Sequence, residues 1–191
     1  MSFTIAEIYA KCAPLAGILH TLPKTANKGL PGLHLETLLG IPHTSNCLDC
    51  SDGELKTFPL KRLKNGQFVP KETIAVTMLS TDDLRACEFK DAKCYRKMRR
   101  MLLVPYYRTD DTIQFMAPKI IDGDAAEFAD LYKQMETDYT EIRKAYLETG
   151  ILTSTTGTLL QNRTKGAGHG STSRAFYLRP EFMKRCMSLS C

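Results

Sequence analysis

Three residues close together in this chain carry the kinds of side chain that hydrolytic enzymes use. Asp49, Glu54 and Lys56 fall within one short stretch, and Glu54 and Lys56 are two residues apart. In a β-strand, side chains at that spacing point to the same face of the sheet. The turn-forming sequence at 51–53 lets the chain fold back and bring Asp49 alongside them. We therefore expect two carboxylates and an ammonium to converge on one point.

Such a group of charges suits metal-assisted attack on a phosphodiester. Mg²⁺ prefers hard oxygen ligands, keeps most of its waters and binds phosphate oxygens directly, so Asp49 and Glu54 are the predicted metal ligands. We expect Lys56 to favour the hydroxide form of the attacking water and to stabilise the charge that builds on phosphorus. The alternative is a solvated strand with an exposed ion pair, because short acid and lysine spacings are common.

Several blocks of the surrounding sequence resemble one family of DNA-cleaving enzymes. They are residues 28–40, 53–59, 96–105, 160–167 and 174–182. These blocks are similar to the family that contains the MutH mismatch-repair nickase and its GATC-cutting type II restriction relatives, within the PD-(D/E)xK nuclease superfamily. The resemblance implies an α/β fold of the restriction-endonuclease type. In that fold a mixed central sheet is flanked by helices, and two lobes surround a DNA-binding cleft.

The resemblance also assigns roles to residues that spacing alone does not single out. Glu36 matches a third active-site carboxylate, and Lys97 matches a further active-site lysine. Four residues match family positions that meet or approach the DNA: Lys28, Arg163, Lys165 and Tyr177. The glycine-rich loop after Lys165 corresponds to the DNA-reading loop of the family.

The stretch before Glu54 departs from the family pattern. Asp49 lies five residues before Glu54, and the family usually leaves slightly more. Either the hairpin is tighter here or Asp52 takes the place of Asp49. We prefer Asp49, because Asp52 is too close to Glu54 along the chain to approach a metal ion from the other side. The loop after Lys165 is also short, which leaves the exact DNA sequence specificity open.

Length and composition predict one nuclease domain over residues 1–191. A chain of 191 residues with 43% apolar content can bury a substantial core. No apolar run approaches the length of a membrane span or signal peptide, so we expect a cytoplasmic protein. The seven cysteines are scattered, and only Cys47 and Cys50 have metal-ligand spacing, without a second such pair. Reduced thiols are therefore the preferred interpretation over a zinc site.

The positive charge of the chain is clustered. The net charge is +5, and basic residues concentrate at 61–64, at 93–100 and at 163–179. Such patches are typical of proteins that bind a polyanion, although ordinary solvated faces also carry them.

Sequence patterns also predict the secondary structure. A capping box at Thr4 and Glu7 opens a helix with Ile5, Ile8, Tyr9 and Cys12 on one side. Further helices are predicted over 29–40 and from Asp124 to about Glu148, the latter ending at Gly150. Strands are predicted over 54–59, 73–79, 101–107, 112–118, 157–163 and 174–179. The Asn65-Gly66 pair predicts a hairpin turn, and an antiparallel meander that continues from the catalytic strand.

These observations favour a Mg²⁺-dependent type II restriction endonuclease that cuts double-stranded DNA at GATC or a closely related site, with a homodimer on DNA as one possibility. The alternative is a MutH-type nickase that acts at hemimethylated GATC with a MutL-type partner. A second alternative, a catalytically idle DNA-binding module, has no need of Glu36, Asp49, Glu54 and Lys56 together. Histidine-metal nucleases are disfavoured because the four histidines show no ligand spacing.

Overall fold

A computed structural model of the protein describes residues 3–23, 27–41, 48–166 and 173–188. In chain order the helices are α1 (Ile5–Cys12), α2 (Leu30–Leu39), α3 (Thr81–Ala86), α4 (Lys93–Met98), α5 (Ala129–Thr149) and α6 (Pro180–Ser188). The strands are β1 (Leu19–Thr21), β2 (Glu54–Arg62), β3 (Phe68–Pro70), β4 (Ile74–Met78), β5 (Arg100–Arg108), β6 (Thr112–Phe115), β7 (Lys119–Asp122), β8 (Leu160–Thr164) and β9 (Arg174–Leu178).

These helices and strands fall into two compact units, and the chain passes between the units more than once. Unit 1 comprises Met1–Glu72 and Arg100–Ile121, and unit 2 comprises Thr73–Arg99 and Asp122–Cys191. Neither unit is a single continuous piece of chain. The interpretation as one nuclease domain over 1–191 stays a prediction.

Unit 1 is built on a mixed sheet with the strand order β1-β6-β5-β2-β3, in which β7 also pairs with β5. Strands β2 and β5 run parallel, with Glu54 opposite Met101 and Lys56 opposite Leu103. The pairs β2-β3, β5-β6 and β1-β6 are antiparallel. Because β5 is buried along most of its length, the parallel pair forms the centre of the sheet. The α/β architecture with a mixed central sheet is therefore confirmed.

Helices α1 and α2 pack on this sheet. The predicted capping box at the start of α1 is present, with Glu7 N–H donating to Thr4 and the Glu7 carboxylate accepting from the Thr4 backbone. Ile5, Ile8 and Cys12 are buried beside Leu55 and Leu102 of the sheet, among other apolar side chains. Tyr9 is 39% exposed, so its predicted place on the buried side was wrong. Residue 9 lies one position past Ile8, which turns its side chain away from the face that packs.

Unit 2 contains a separate antiparallel sheet with the strand order β4-β9-β8. The meander predicted to continue from the catalytic strand is therefore wrong beyond β3, because β4 pairs with β9, about 100 residues later in the chain. Alternation of apolar residues indicates a strand but does not show which other strand it pairs with. Helix α5 packs on this sheet, and the Tyr139 ring lies 5.8 Å from the Phe176 ring.

Several predicted boundaries needed correction. Helix α5 begins at Ala129, after a 3₁₀ turn over 126–128, so Asp124 does not cap it. Its predicted end is confirmed, since Gly150 adopts a left-handed conformation with φ of 70°. The strand predicted over 112–118 ends at Phe115, and the strand predicted from 157 begins at Leu160. Helices α3, α4 and α6 were not predicted from the sequence.

The five cysteines within the described residues are free thiols: Cys12, Cys50, Cys87, Cys94 and Cys186. Cys47, the other half of the Cys47/Cys50 pair, lies outside the described residues. Among the residues that the structure describes, no helix has both the length and the apolar composition needed to span a membrane.

Candidate active site

The first residues of β2 and the loop before them form a compact group of charges in unit 1. The Lys56 ammonium lies 2.7 Å from Glu54 Oε1 and 3.9 Å from Asp49 Oδ2. The Leu55 backbone N–H donates to Asp49 Oδ2 over 3.2 Å, which ties the loop back onto the strand. The Asp49 N–H in turn donates to Glu54 Oε2 over 3.4 Å. The two carboxylates and the ammonium are thus brought together.

A close approach of backbone at Gly53 allows the loop to fold this tightly. A Cβ atom at Gly53 would lie 2.6 Å from the backbone oxygen of Arg100 and 2.7 Å from Cγ1 of Ile5. No side chain fits there without movement of backbone, so glycine is required. The Cys50 N–H donates to the Gly53 carbonyl over 3.0 Å and closes the turn.

Burial decreases across the group from Glu54 to Asp49. The side chain of Glu54 is 1% exposed, that of Lys56 is 21% exposed, and that of Asp49 is 38% exposed. A carboxylate as buried as that of Glu54 requires a close cation or hydrogen-bond donor, and Lys56 supplies it. Burial raises the pKa of the neighbouring Cys50 thiol to about 12, with further contributions from Asp49, Asp52 and Glu54. Two carboxylates against one ammonium give the group of Asp49, Glu54 and Lys56 a formal charge of −1, which favours a cation.

Asp52 has partners of its own. Its Oδ1 accepts the N–H of Ile5 over 2.7 Å, and its Oδ2 accepts Arg100 Nη1 over 2.5 Å. Both oxygens therefore contact groups other than Glu54 and Lys56. This arrangement favours Asp49 over Asp52 as the second metal ligand.

The donor set fits a magnesium ion. Within the described ranges, no three side chains of His, Cys, Asp or Glu come together in a way that could hold a metal ion. Mg²⁺ is usually bound through one or two carboxylates, with waters and substrate phosphates in the remaining positions. Asp49 and Glu54 are two carboxylates that could serve in this way, and Asp49 is partly exposed.

Two further predicted site residues belong to unit 1. Glu36 is half-buried in the last turn of α2, one helical turn after Gly32 and so on the same helix face. That face packs near β2, because a Cβ on Gly32 would lie 3.5 Å from Thr57 Oγ1. The Lys28 ammonium is exposed and lies 3.5 Å from the Glu72 carboxylate. The roles of Glu36 in catalysis and of Lys28 near DNA stay predictions.

Lys97 belongs to unit 2, where it is half-buried in the last turn of α4. The charged group at Asp49, Glu54 and Lys56 belongs to unit 1. The assignment of Lys97 as a further active-site lysine stays a prediction.

Arg163 and Tyr177 lie together on one face of the unit 2 sheet. Tyr177 is opposite Gln161, two residues before Arg163, so both side chains share that face. The Arg163 guanidinium lies 5.3 Å from the centre of the Tyr177 ring, within the range of a cation–π contact. Arg163 Nη1 also lies 3.4 Å from Thr73 Oγ1. The pair presents a positively charged, exposed side chain held over an aromatic ring.

Lys165 follows directly after β8 and is exposed. Its N–H donates to the Ser173 carbonyl over 2.8 Å, so the base of the glycine-rich loop is closed by backbone pairing. The prediction that the rest of that loop reads DNA concerns residues 167–172 and lies outside the described residues.

The buried carboxylate of Asp138 on α5 was not predicted from the sequence to have a structural role. It is 1% exposed and accepts the N–H groups of three consecutive residues, Thr158 at 2.9 Å, Leu159 at 2.6 Å and Leu160 at 2.8 Å. Asp138 therefore fixes the start of β8, the strand that carries Arg163. A signal was present, because Asp138 falls at a helical spacing shared with the buried Met135 and Ile142.

Two histidines that looked dispersed in the sequence meet in unit 1. The rings of His20 and His34 lie 5.7 Å apart, and the His34 ring stacks on Phe115 at 6.3 Å. Burial lowers the pKa of His34, and His20 adds to that effect. The arrangement favours uncharged His34 in the folded protein.

Comparisons with known proteins come from solved structures and from sequence. A solved structure described as the restriction endonuclease MvaI in complex with its cognate DNA substrate superposes with a TM-score of 0.45 and 10% identity, covering 95% of this chain and 93% of that chain. No curated protein sequence matches the chain. The sequence model of a family described as the DNA mismatch repair enzyme MutH matches residues 45–144. That match spans just over half of the 191 residues and includes Asp49, Glu54 and Lys56. The chain belongs to the MutH family.

Proposed function

We propose that this protein is a Mg²⁺-dependent, site-specific endonuclease that hydrolyses phosphodiester bonds in double-stranded DNA. The observation that carries the proposal is the position of the Lys56 ammonium, 2.7 Å from Glu54 and 3.9 Å from Asp49. Two carboxylates and a lysine within contact distance suit metal-assisted phosphodiester hydrolysis. Membership of the MutH family supports DNA as the substrate.

In the proposed mechanism Asp49 and Glu54 hold the magnesium ion. The bound ion supplies Lewis-acid polarisation of the phosphate and lowers the pKa of the attacking water. The Lys56 ammonium would stabilise the negative charge that develops on the phosphate oxygens. Because Glu54 is buried and ion-paired with Lys56, the ammonium is held in place before substrate arrives.

The remaining predicted residues divide into catalytic and DNA-binding roles. Glu36 adds a third carboxylate and Lys97 a further cation, as in the proteins that this chain resembles. The DNA contacts are assigned to four residues: Lys28, Arg163, Lys165 and Tyr177. Arg163 is suited to reading a base edge, because its planar guanidinium lies over the Tyr177 ring and stays accessible. We propose GATC or a closely related short site as the target.

Between the two types of endonuclease we favour a type II restriction enzyme. The sequence over 59–66, in the hairpin between β2 and β3, resembles the restriction branch more than the repair branch. One chain carries one set of catalytic residues, so cutting both strands requires a second copy or sequential visits. A homodimer on DNA is the proposed form.

A MutH-type nickase is the second candidate. The specific observation in its favour is the description of the matching family model, which names a DNA mismatch repair enzyme. In that case a MutL-type protein is the expected partner and hemimethylated GATC is the expected substrate.

A plasmid cleavage assay tests the proposal. Purified protein is incubated with supercoiled plasmid and Mg²⁺, with Glu54→Gln as the control for contaminating nucleases, and the cut ends are sequenced. Linear product from unmethylated plasmid, without any repair protein, supports the restriction enzyme. Open circles, preference for hemimethylated sites and stimulation by a MutL-type protein support the nickase. DNA binding without any cleavage in Mg²⁺ would support the catalytically idle DNA-binding module and contradict the assignment as a nuclease.

A further inference from the structure

We propose that Asp52 and Arg100 form a positioning pair that holds the loop carrying Asp49 at the start of β2. This inference rests on the proposed function, because it assigns Asp49 as a metal ligand whose distance from Glu54 matters. Neither Asp52 nor Arg100 is expected to touch the DNA or the metal ion. Their role is to fix the backbone that presents Asp49.

Two contacts of Asp52 are shorter than the three contacts that join Asp49 to the start of β2. Asp52 accepts Arg100 Nη1 at 2.5 Å and the Ile5 N–H at 2.7 Å. The contacts that join Asp49 to Glu54, Leu55 and Lys56 are 3.4, 3.2 and 3.9 Å long. The short, charge-assisted bonds of Asp52 are the stronger constraints on the loop. The position of Asp49 therefore follows from where Asp52 is anchored.

Arg100 is well placed to transmit this constraint to Glu54. It is the first residue of β5 and directly precedes Met101, which is paired with Glu54 across the parallel strands. Its backbone oxygen also faces Gly53, where any side chain would collide with it. Arg100 thus contacts the loop through its guanidinium and through its backbone. The pair therefore links the loop that carries Asp49 to β5, which is paired with β2, the strand that carries Glu54.

The N-terminus of the chain fastens the same loop from the other side. The N–H of Ser51 donates to the Phe3 carbonyl over 2.9 Å, next to the contact between Asp52 and Ile5. The loop is therefore held between the start of α1 and the start of β5. Both of these segments are packed into the unit 1 core, so they give the loop fixed reference points.

Charge balance gives the pair a second effect. Arg100 offsets the charge of Asp52, as Lys56 offsets that of Glu54. Because the pair is only about one-third exposed, solvent screens this interaction less than it screens a surface pair. Loss of Arg100 leaves an extra negative charge that repels Asp49.

The test compares Asp52→Asn with a matched control. Asparagine keeps an oxygen for the Ile5 N–H but loses the charge that Arg100 contacts. The control is Asp124→Asn, which breaks a similar pair in unit 2, where Arg99 Nη2 lies 2.6 Å from Asp124 Oδ2. We expect kcat to fall about 10–100-fold in Asp52→Asn through misplacement of Asp49, with a higher Mg²⁺ concentration needed for half-maximal activity. DNA affinity in Ca²⁺ without turnover should match wild type, and Asp124→Asn should retain wild-type kcat.

Two further readouts separate positioning from general loss of stability. Exchange of the Leu55 amide hydrogen should speed up in Asp52→Asn, because that amide donates to Asp49, while exchange in the centre of β5 stays slow. The double variant Asp52→Asn with Arg100→Gln should be no less active than the worse single variant, as for two residues that act as a unit. Either a wild-type kcat or a wild-type rate of Leu55 exchange in Asp52→Asn would overturn the inference.

The exchange measurement also distinguishes this inference from the proposed function. It needs neither DNA nor metal, so it reports on the loop even if the wild-type protein fails to cut. No cleavage by wild type would refute the nuclease proposal. Unchanged Leu55 exchange in Asp52→Asn would refute the positioning pair.

Discussion

The two units of this protein hold their charged site residues in different ways. In unit 1, Glu54 and Lys56 are largely buried and contact each other directly at 2.7 Å. In unit 2, Arg163 and Lys165 are exposed, and Arg163 is supported by an aromatic ring at 5.3 Å. Bond hydrolysis requires fixed distances between charges, whereas reading DNA requires cations that can reach outward from a rigid support. The difference agrees with the roles that we propose, which are chemistry for the unit 1 group and recognition for the unit 2 group.

Both units also use a carboxylate to fix backbone next to the site. In unit 1, Asp52 accepts the N–H of Ile5 and pairs with Arg100. In unit 2, Asp138 accepts three consecutive N–H groups at the start of β8. The former is partly exposed and the latter is fully buried. Removal of Asp138 should therefore cost more stability than removal of Asp52.

The largest expected effect concerns the catalytic group that we propose in unit 1. Glu54→Gln keeps the shape of the side chain but removes a metal-binding charge, so kcat should fall on the order of 10²–10³-fold while DNA binding is retained. Glu141→Gln, at an exposed position on α5, is the matched control and should cut normally. Cleavage rates and binding to labelled duplex are measured for both variants. Undiminished cleavage by Glu54→Gln would rule out the site.

The next largest effect concerns the stability of unit 2. Asp138→Ala leaves three N–H groups, those of Leu159 and Leu160 buried, without their acceptor, which should lower the free energy of unfolding by about 3 kcal/mol. Urea unfolding measures this change, and Glu141→Ala on the same helix is the control. A loss no greater than in the control would show that solvent replaces the carboxylate and that Asp138 does not fix β8.

A smaller effect is expected for the recognition of DNA by Arg163 in unit 2. Arg163→Ala should reduce discrimination between a site-bearing and a scrambled duplex by about 1–3 kcal/mol, the range for a good base-edge contact. Lys61→Ala, in the hairpin between β2 and β3, should weaken both duplexes equally and reduce the salt dependence of binding. Competition binding at several salt concentrations measures both quantities. Equal weakening by Arg163→Ala would assign Arg163 to the phosphate backbone instead.

The smallest expected effect is a pH dependence of unit 1. The pKa of His34 is lowered by burial and by His20, so the unfolded chain, with an ordinary value of about 6.5, binds its proton first as the pH falls. The contribution of neutral His34 is therefore complete above that value and is lost as the pH drops below it. Melting temperatures between pH 8 and pH 5 should fall less in His34→Leu than in wild type. Parallel curves would contradict this prediction.

The local features of this protein could be predicted from its sequence alone. The spacing of Glu54 and Lys56 and the turn at 51–53 were enough to predict that two acids and a lysine converge, because strand periodicity and turn chemistry act over a few residues. The capping box of α1 and the glycine after α5 were predictable for the same reason. The mixed sheet came from the family resemblance rather than from any local pattern.

Tertiary structure alone decided which distant residues meet. The parallel pairing of β2 with β5, the pairing of β4 with β9 and the division into two units join segments from tens to about 100 residues apart. The bond between Asp52 and Arg100 spans 48 residues, and those from Asp138 to the start of β8 span 20 to 22 residues. A carboxylate in the sequence shows neither its burial nor its partner, because both depend on how the rest of the chain packs around it.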